Sequence, residues 1–257
     1  MTRTWMIHWT AAALVVPLFM SCGGPSKQQA EDEPLSVTFA TPGGTELRAS
    51  LLVPKPDGGA PSGLLLLHRA GSDRRGWELF ARRLRREGRM VMTIDFPGHG
   101  ESAPRPDLPQ KANDFSRADW LALLDDCGAA LDKLVAEGAD ASNLAVGGEG
   151  VGANLALHLA RRAPRVRALV LVSPGLTQDG VEAAPMLEEL TDCPVLYLAA
   201  EGDNYAAESA RTLAEQTPGF HDLKIFPGTH HGTDLFAGSP SAMNQTIKWL
   251  ETVLGTR

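Results

Sequence analysis

The sequence predicts an α/β protein with a mainly parallel sheet that has helices on both faces. Five short apolar runs between residues 63 and 200 are too continuous for half-exposed strands, and segments of helical period alternate with them. An N-terminal antiparallel hairpin is predicted around Pro42, Gly43 and Gly44, before the first of these runs. At 257 residues, the chain has room for one such domain and is short for two.

Each element is predicted from its own local pattern. The strands are mostly apolar runs beside turn-forming residues, and they are expected at residues 35–41, 45–53, 63–68, 90–96, 143–148, 167–173, 193–200 and 221–227. The helices have apolar residues every three to four positions, and they are expected at residues 77–87, 118–137, 152–162, 207–216 and 242–254. The piece between Ser173 and Cys193 is short, which leaves little room for a lid domain.

Residues 1–21 have the layout of a secretory signal. Arg3 precedes an apolar run that extends to Met20, and this run is too short and too poorly flanked for a transmembrane helix. Ser21 and Cys22 then resemble the end of the processing box of bacterial lipoproteins, in which the cysteine becomes the lipidated first residue. The alternatives are an ordinary signal with a chance cysteine and a plain N-terminal anchor.

The residues after Cys22 divide into a tether and a domain. Residues 22–34 lack apolar periodicity and predict a flexible tether, so that residues 35–257 form the α/β domain. In lipoproteins an aspartate after the cysteine often retains the protein at the inner membrane, and here Gly23 stands in that place. The resemblance therefore implies a protein of the cell envelope, held by lipid on Cys22, with the outer membrane favoured.

Composition and charge exclude several classes of function. The chain carries 24 Lys and Arg against 31 Asp and Glu, so its formal charge of −7 argues against nucleic acid as a partner. No C-x-x-C pair and no helical histidine pair with a carboxylate is present, so no metal is expected. The glycines of residues 147–152 are not supported as a dinucleotide-binding turn, and no cofactor is expected. Cys127 and Cys193 are interpreted as packing residues rather than a bridge.

Unusual residues follow five of the predicted strands. Ligands of open α/β sheets bind at the carboxyl ends of the strands, so these residues are expected to converge there. They are the segments 68–73 (HRAGSD), 95–102 (DFPGHGES), 148–154 (GEGVGAN), 201–203 (EGD) and 227–233 (PGTHHGT).

These five segments, in this order, resemble the α/β-hydrolase superfamily, and most of all its small lidless members related to dienelactone hydrolases. Residues 95–102 match the D-x-x-G-x-G-x-S signature of that superfamily. The resemblance implies that Asp203 is the catalytic acid and His231 the base, with His230 as the less favoured alternative base. A carboxylate that accepts the imidazole N–H would fix the tautomer and leave the other nitrogen as a base.

The sequence departs from this superfamily at the nucleophile. In the elbow G-x-S-x-G, here residues 148–152, the central position is Gly150, which has no side chain to attack a carbonyl. Glu149 is an alternative nucleophile if the register slides by one residue. Ser72 and Ser173 are weaker alternatives, because loop serines usually satisfy backbone groups. A water activated by the Asp–His pair is a slower route.

The donors that would stabilise an oxyanion do not depend on the missing side chain. The resemblance implies that one donor is the N–H of Val151 and that the other belongs to Arg69 or Ala70, although relatives have glycine where Arg69 stands. Arg69, Arg74 and Arg75 are candidates for attracting an anionic ligand, but a solvated loop and helix start is the preferred interpretation.

The hypothesis favoured by the sequence is a lipid-anchored, catalytically impaired serine hydrolase, a pseudoenzyme that binds a small acyl or carboxylate ligand. The alternatives are an ester or lactone hydrolase that uses Glu149 or water with His231 and Asp203, and an envelope component in which the old site has no role. The sequence leaves the oligomeric state open.

Overall fold

A mixed sheet of eight strands forms the centre of the domain in the computed structural model, which describes residue 1 and residues 33–255. Its strand order is β1-β2-β4-β3-β5-β6-β9-β10, in which β1 and β2 are antiparallel, β2 and β4 are antiparallel, and all other neighbours are parallel. The predicted fold class, including the N-terminal hairpin, is confirmed.

The strands and helices have the following bounds. The strands are β1 (Leu35–Ala40), β2 (Glu46–Leu52), β3 (Ser62–Leu67), β4 (Met90–Ile94), β5 (Asp140–Glu149), β6 (Val166–Val172), β7 (Thr177–Gln178), β8 (Val181–Glu182), β9 (Val195–Ala200) and β10 (His221–Phe226). The helices are α1 (Glu78–Arg86), α2 (Arg117–Ala122), α3 (Leu124–Ala136), α4 (Val151–Arg162), α5 (Asn204–Gln216), α6 (Asp234–Gly238) and α7 (Pro240–Leu254).

The two faces of the sheet carry separate apolar cores. Side chains of α2, α3, α4 and α5 pack on one face, and those of α1, α6 and α7 pack on the other. The strands β3, β4 and β9 are buried at every residue because helices cover both of their faces, as their continuous apolar sequences predict. Cys127 and Cys193 are buried free thiols, which confirms their interpretation as packing residues.

Three segments differ from their prediction, and one of them is the short helix α6, which was not predicted. The expected helix 118–137 is interrupted at Leu123 and forms α2 and α3, and Trp120 and Leu123 are both buried at this junction. The segment after β6 contains a small hairpin of β7 and β8 and a 3-10 helix, Ala184–Glu189, so it is short but structured.

The proposed signal, the lipidated Cys22 and nearly all of the tether lie outside the described residues. Within residues 33–255, no helix combines the length and the apolar character that crossing a bilayer requires.

Candidate functional site

The turn between β5 and α4 has the strained backbone of an elbow. Gly150 has φ +54° and ψ −123°, a conformation that L side chains rarely adopt. Positions 148 and 152, two residues to either side, are also glycines, because the backbone passes very close to itself there. A Cβ on Gly148 would overlap the carbonyl of Gly152, and one on Gly152 would lie 2.5 Å from His68 O. The elbow predicted from residues 148–152 is therefore present, with Gly150 at its tip.

Asp203 and His231 are brought together by the ends of two neighbouring strands. Asp203 follows β9 and His231 follows β10, and His231 Nδ1 donates to Asp203 Oδ2 over 2.7 Å. The carboxylate thereby selects the tautomer that leaves Nε2 as an acceptor. His230 points elsewhere, since its Nε2 lies where a Cβ on Gly238 would be.

Gly150 faces His231 across the site. A Cβ on Gly150 would lie 4.0 Å from His231 Nε2, within reach of one further atom of a side chain. The structure therefore brings the three predicted positions together, and the central one has no side chain.

The expected oxyanion donors border the same turn. Val151 is the first residue of α4, where peptide N–H groups have no partner within the helix, and both Arg69 and Ala70 lie in the loop after β3. Among the described residues, none of these three N–H groups donates a backbone hydrogen bond outside the regular elements. Val151 is buried and Ala70 is half-buried.

Glu149 is fully buried beside the elbow. Its Oε2 accepts from Arg69 Nη1 at 2.9 Å and from the N–H of Thr233 at 2.8 Å. Its Oε1 is buried without a hydrogen-bond partner, on the side of Gly76 and Ser72. The carboxylate thus connects the loop after β3 to the loop that carries His231.

Ser173 supports the same loop from the end of β6. It is buried with φ +46°, and its Oγ accepts from the N–H of Gly232 at 2.9 Å. Since Gly232 directly follows His231, Ser173 and Glu149 hold the histidine loop at two successive peptide groups. Ser173 thus satisfies a backbone N–H, as expected of a loop serine, whereas the structural role of Glu149 was not predicted, since a glutamate inside the elbow was its only signal.

Arg74 and Arg75 are engaged in ion pairs. Arg74 is buried and pairs with Asp95 and Glu101, whereas Arg75 pairs with Asp73 and Glu101 on the surface. The preferred interpretation of a solvated arginine is therefore wrong for Arg74, because its guanidinium satisfies a buried carboxylate.

His68 has a structural role under the site. Its Nε2 accepts from the N–H of Phe96 at 3.0 Å, and its Nδ1 faces Arg69 O at 2.7 Å. Burial lowers the pKa of His68 from 6.5 to about 3, so the ring is neutral and joins the loops after β3 and β4. Burial also lowers the pKa of His99, whose ring packs 4.9 Å from that of His68.

A cavity of about 650 Å³ is lined by residues that follow β3, residues that follow β4, and residues 110–113. Neither Asp203 nor His231 lines it, and its lining residues are Gly71, Ser72, Asp73, Gly98, His99, Gly100, Gln110, Lys111, Ala112 and Asn113. Within the described part of the chain, no cluster of histidine, cysteine and carboxylate side chains is arranged to hold a metal ion.

Similarity to solved structures is extensive in fold and low in sequence. The chain is similar to the acetyl xylan esterase from Paenibacillus sp. R4, with a TM-score of 0.71, 18% identity and coverage of 85% of this chain and 83% of that one. It is also similar to the Pyrococcus furiosus esterase Pf2001, with a TM-score of 0.70, 15% identity and coverage of 91% and 97%. At sequence identities this low, the similarity shows only that the chain has the α/β-hydrolase fold. No curated protein matches the chain.

A family model matches the region that contains the elbow. Residues 60–191, just over half of the chain, match Hydrolase_4, described as serine aminopeptidase, S33. Asp203 and His231 lie beyond the matched residues. The predicted superfamily is confirmed, while the nearer kinship with dienelactone hydrolases stays a prediction. On this match and this fold, the chain belongs to the Hydrolase_4 family (serine aminopeptidase, S33) of the α/β hydrolases.

Proposed function

We propose that this protein is a pseudoenzyme of the serine-hydrolase type, which binds a small acyl or carboxylate ligand without covalent chemistry. The observation that carries the proposal is Gly150, from which a Cβ would lie 4.0 Å from His231 Nε2. Glycine supplies no atom that could attack a carbonyl. In a serine protease, loss of the nucleophile alone lowers kcat on the order of 10⁶-fold.

The groups that remain support binding of a polar oxygen. The N–H groups of Val151 and of Arg69 or Ala70 are the candidate donors beside the elbow, and the positive end of the α4 dipole favours a negatively charged group there. The side chain of His231 is 42% exposed, so the imidazole is accessible to a ligand. A carboxylate or a carbonyl is the chemistry that these donors fit.

Hydrolysis by an activated water is the second candidate function. It is favoured by the 2.7 Å contact between His231 Nδ1 and Asp203 Oδ2, which leaves Nε2 as a general base. Attack by Glu149 is less well supported, because this carboxylate is fully buried and bound to Arg69 and Thr233.

An ester hydrolysis assay on the full-length protein tests the two candidates. The parent and His231→Ala are expected to hydrolyse p-nitrophenyl acetate no faster than buffer, and a fluorophosphonate probe should leave the parent unlabelled.

Ligand binding is measured separately. Butyrate, added as a small carboxylate ligand, should shift the His231 imidazole resonances in NMR spectra. Turnover by the parent that disappears in His231→Ala would instead establish hydrolysis. The absence of both turnover and butyrate binding would favour an envelope component without a working site.

We further propose that the protein is held in the cell envelope by lipid on Cys22. The support is the arrangement of Arg3, the apolar run, Ser21 and Cys22, followed by a polar tether. Expressed in a bacterium with labelled palmitate, the parent should carry the label and partition with membranes, and Cys22→Ala should lose the label. A labelled Cys22→Ala variant, or an unlabelled parent, would contradict this anchor.

A further inference from the structure

Arg69 is the nearest neighbour of the space above Gly150. A Cβ on Gly150 would lie 3.0 Å from the Cβ of Arg69 and 3.8 Å from its Cα. Carbon atoms attract one another best at about 3.5–4.0 Å, so the Cα is at an ordinary contact distance and the Cβ is too close. Besides the positive φ of Gly150, the obstacle to a side chain at position 150 is therefore the first carbon of the Arg69 side chain.

Arg69 is fixed at both its backbone and its guanidinium. Its carbonyl faces His68 Nδ1 at 2.7 Å and accepts from the N–H of Ser72 at 3.2 Å. Its Nη1 donates to the buried Glu149, which in turn accepts from the N–H of Thr233. Because both ends are held, the Cβ has little freedom to move away from position 150.

We propose that Arg69 and Gly150 are a complementary pair, in which the Arg69 Cβ occupies room that a nucleophilic side chain at position 150 would need. This inference rests on the proposed function and extends it: two positions, not one, exclude covalent chemistry. Arg69 acts here by occupying space, and Glu149 is the residue that positions it. A hydroxyl restored at position 150 is then expected to react at its full rate only when the Cβ at position 69 is also removed.

Four versions of the full-length chain distinguish the effect of the Arg69 Cβ on reactivity from the effect of the Arg69 charge. They are the parent, Gly150→Ser, Gly150→Ser with Arg69→Gly, and Gly150→Ser with Arg69→Ala. Both double variants break the pair with Glu149, but only the glycine variant removes the Cβ. Each protein is treated with a fluorophosphonate. In the three variants that carry Gly150→Ser, the hydroxyl oxygen bonds to phosphorus, fluoride leaves, and His231 takes the proton of the hydroxyl. Peptide mass spectrometry then gives the labelling rate at position 150.

We expect the double variant with Arg69→Gly to be labelled about 10- to 100-fold faster than Gly150→Ser, the range that removing an overpacked contact implies. The double variant with Arg69→Ala should stay within a few-fold of Gly150→Ser. Equal rates for Gly150→Ser and the Arg69→Gly double variant would overturn the inference, and so would equal rates for the two double variants. No labelling in any variant would overturn it as well, since another obstacle would then remain.

Folding and the parent's own activity are controlled separately. Circular dichroism checks each variant, and adding Glu149→Gln to both double variants removes the unpaired buried carboxylate if either one unfolds. The parent's ester hydrolysis is measured in the same series. Histidine-dependent turnover by the parent would refute the proposed function, whereas the ratio between the two double variants decides the role of Arg69.

Discussion

Replacement of Asp95 by alanine is expected to lower the free energy of unfolding by about 3–5 kcal/mol, because the buried Arg74 guanidinium loses its buried counter-charge and two backbone N–H groups lose their acceptor. Asp95 is fully buried, and it accepts from the Arg74 guanidinium, from the N–H of Arg74 at 2.7 Å and from the N–H of Glu101 at 2.8 Å. The loop of residues 95–102 wraps closely round this carboxylate, since a Cβ on Gly100 would overlap it. The aspartate of the D-x-x-G-x-G-x-S signature thus holds the loops after β3 and β4 together.

Chemical denaturation of the parent, Asp95→Ala and Glu101→Ala measures this effect. Glu101 also pairs with Arg74, but it is solvent-exposed, and its loss should change stability much less. Asp95→Asn keeps the shape of the side chain and should lie between the parent and Asp95→Ala. A loss below about 1 kcal/mol in Asp95→Ala would contradict the structural role given to the carboxylate.

Acid is expected to weaken the fold through His68, by about 3 kcal/mol between pH 6.5 and pH 4. Burial lowers the pKa of His68 from 6.5 to about 3 in the folded protein. Between these values the unfolded chain binds a proton that the folded chain does not bind, so protonation favours unfolding as the pH falls. This contribution is fully present above pH 6.5 and is lost progressively down to about pH 3.

The pH dependence of urea unfolding, compared between the parent and His68→Gln, tests this expectation. The variant keeps a donor and an acceptor but does not titrate, so its stability should fall less steeply between pH 6.5 and pH 4. Phe96→Leu disturbs the same aromatic contact, at 4.5 Å from His68, without removing a titrating group, and it should keep the slope of the parent. Parallel curves for the parent and His68→Gln would show that the buried ring is not the source of acid sensitivity.

Local patterns were sufficient for the eight strands of the main sheet and for the positions of the site. The runs that form β3, β4 and β9 are apolar throughout, and burial on both faces requires this pattern. The residues that follow β5, β9 and β10 meet because parallel strands place their carboxyl ends at one edge. The break at Leu123 was not predictable in this way, since the apolar periodicity continues through it.

Charged side chains were the least predictable part of the site. Arg74 reads as a surface residue at a helix start, and only the partner Asp95, 21 positions away, explains its burial. Glu149 reads as an alternative nucleophile, and its contacts with Arg69 and Thr233 lie 80 and 84 positions away in sequence. The burial and ion pairing of a charged side chain depend on residues that are distant in sequence and close in space. Residues adjacent in sequence do not show which these partners are.

By itself, the amino-acid order determined the α/β fold, the elbow with glycine at its tip and the placing of Asp203 and His231 after successive strands, because periodicity and turn chemistry act over a few residues. Only the folded chain decided that His231 rather than His230 meets Asp203, that Glu149 is buried, and that a Cβ on Gly150 would lie 3.0 Å from the Arg69 Cβ. These outcomes depend on distances of a few ångströms between segments far apart in the chain, and packing alone sets such distances.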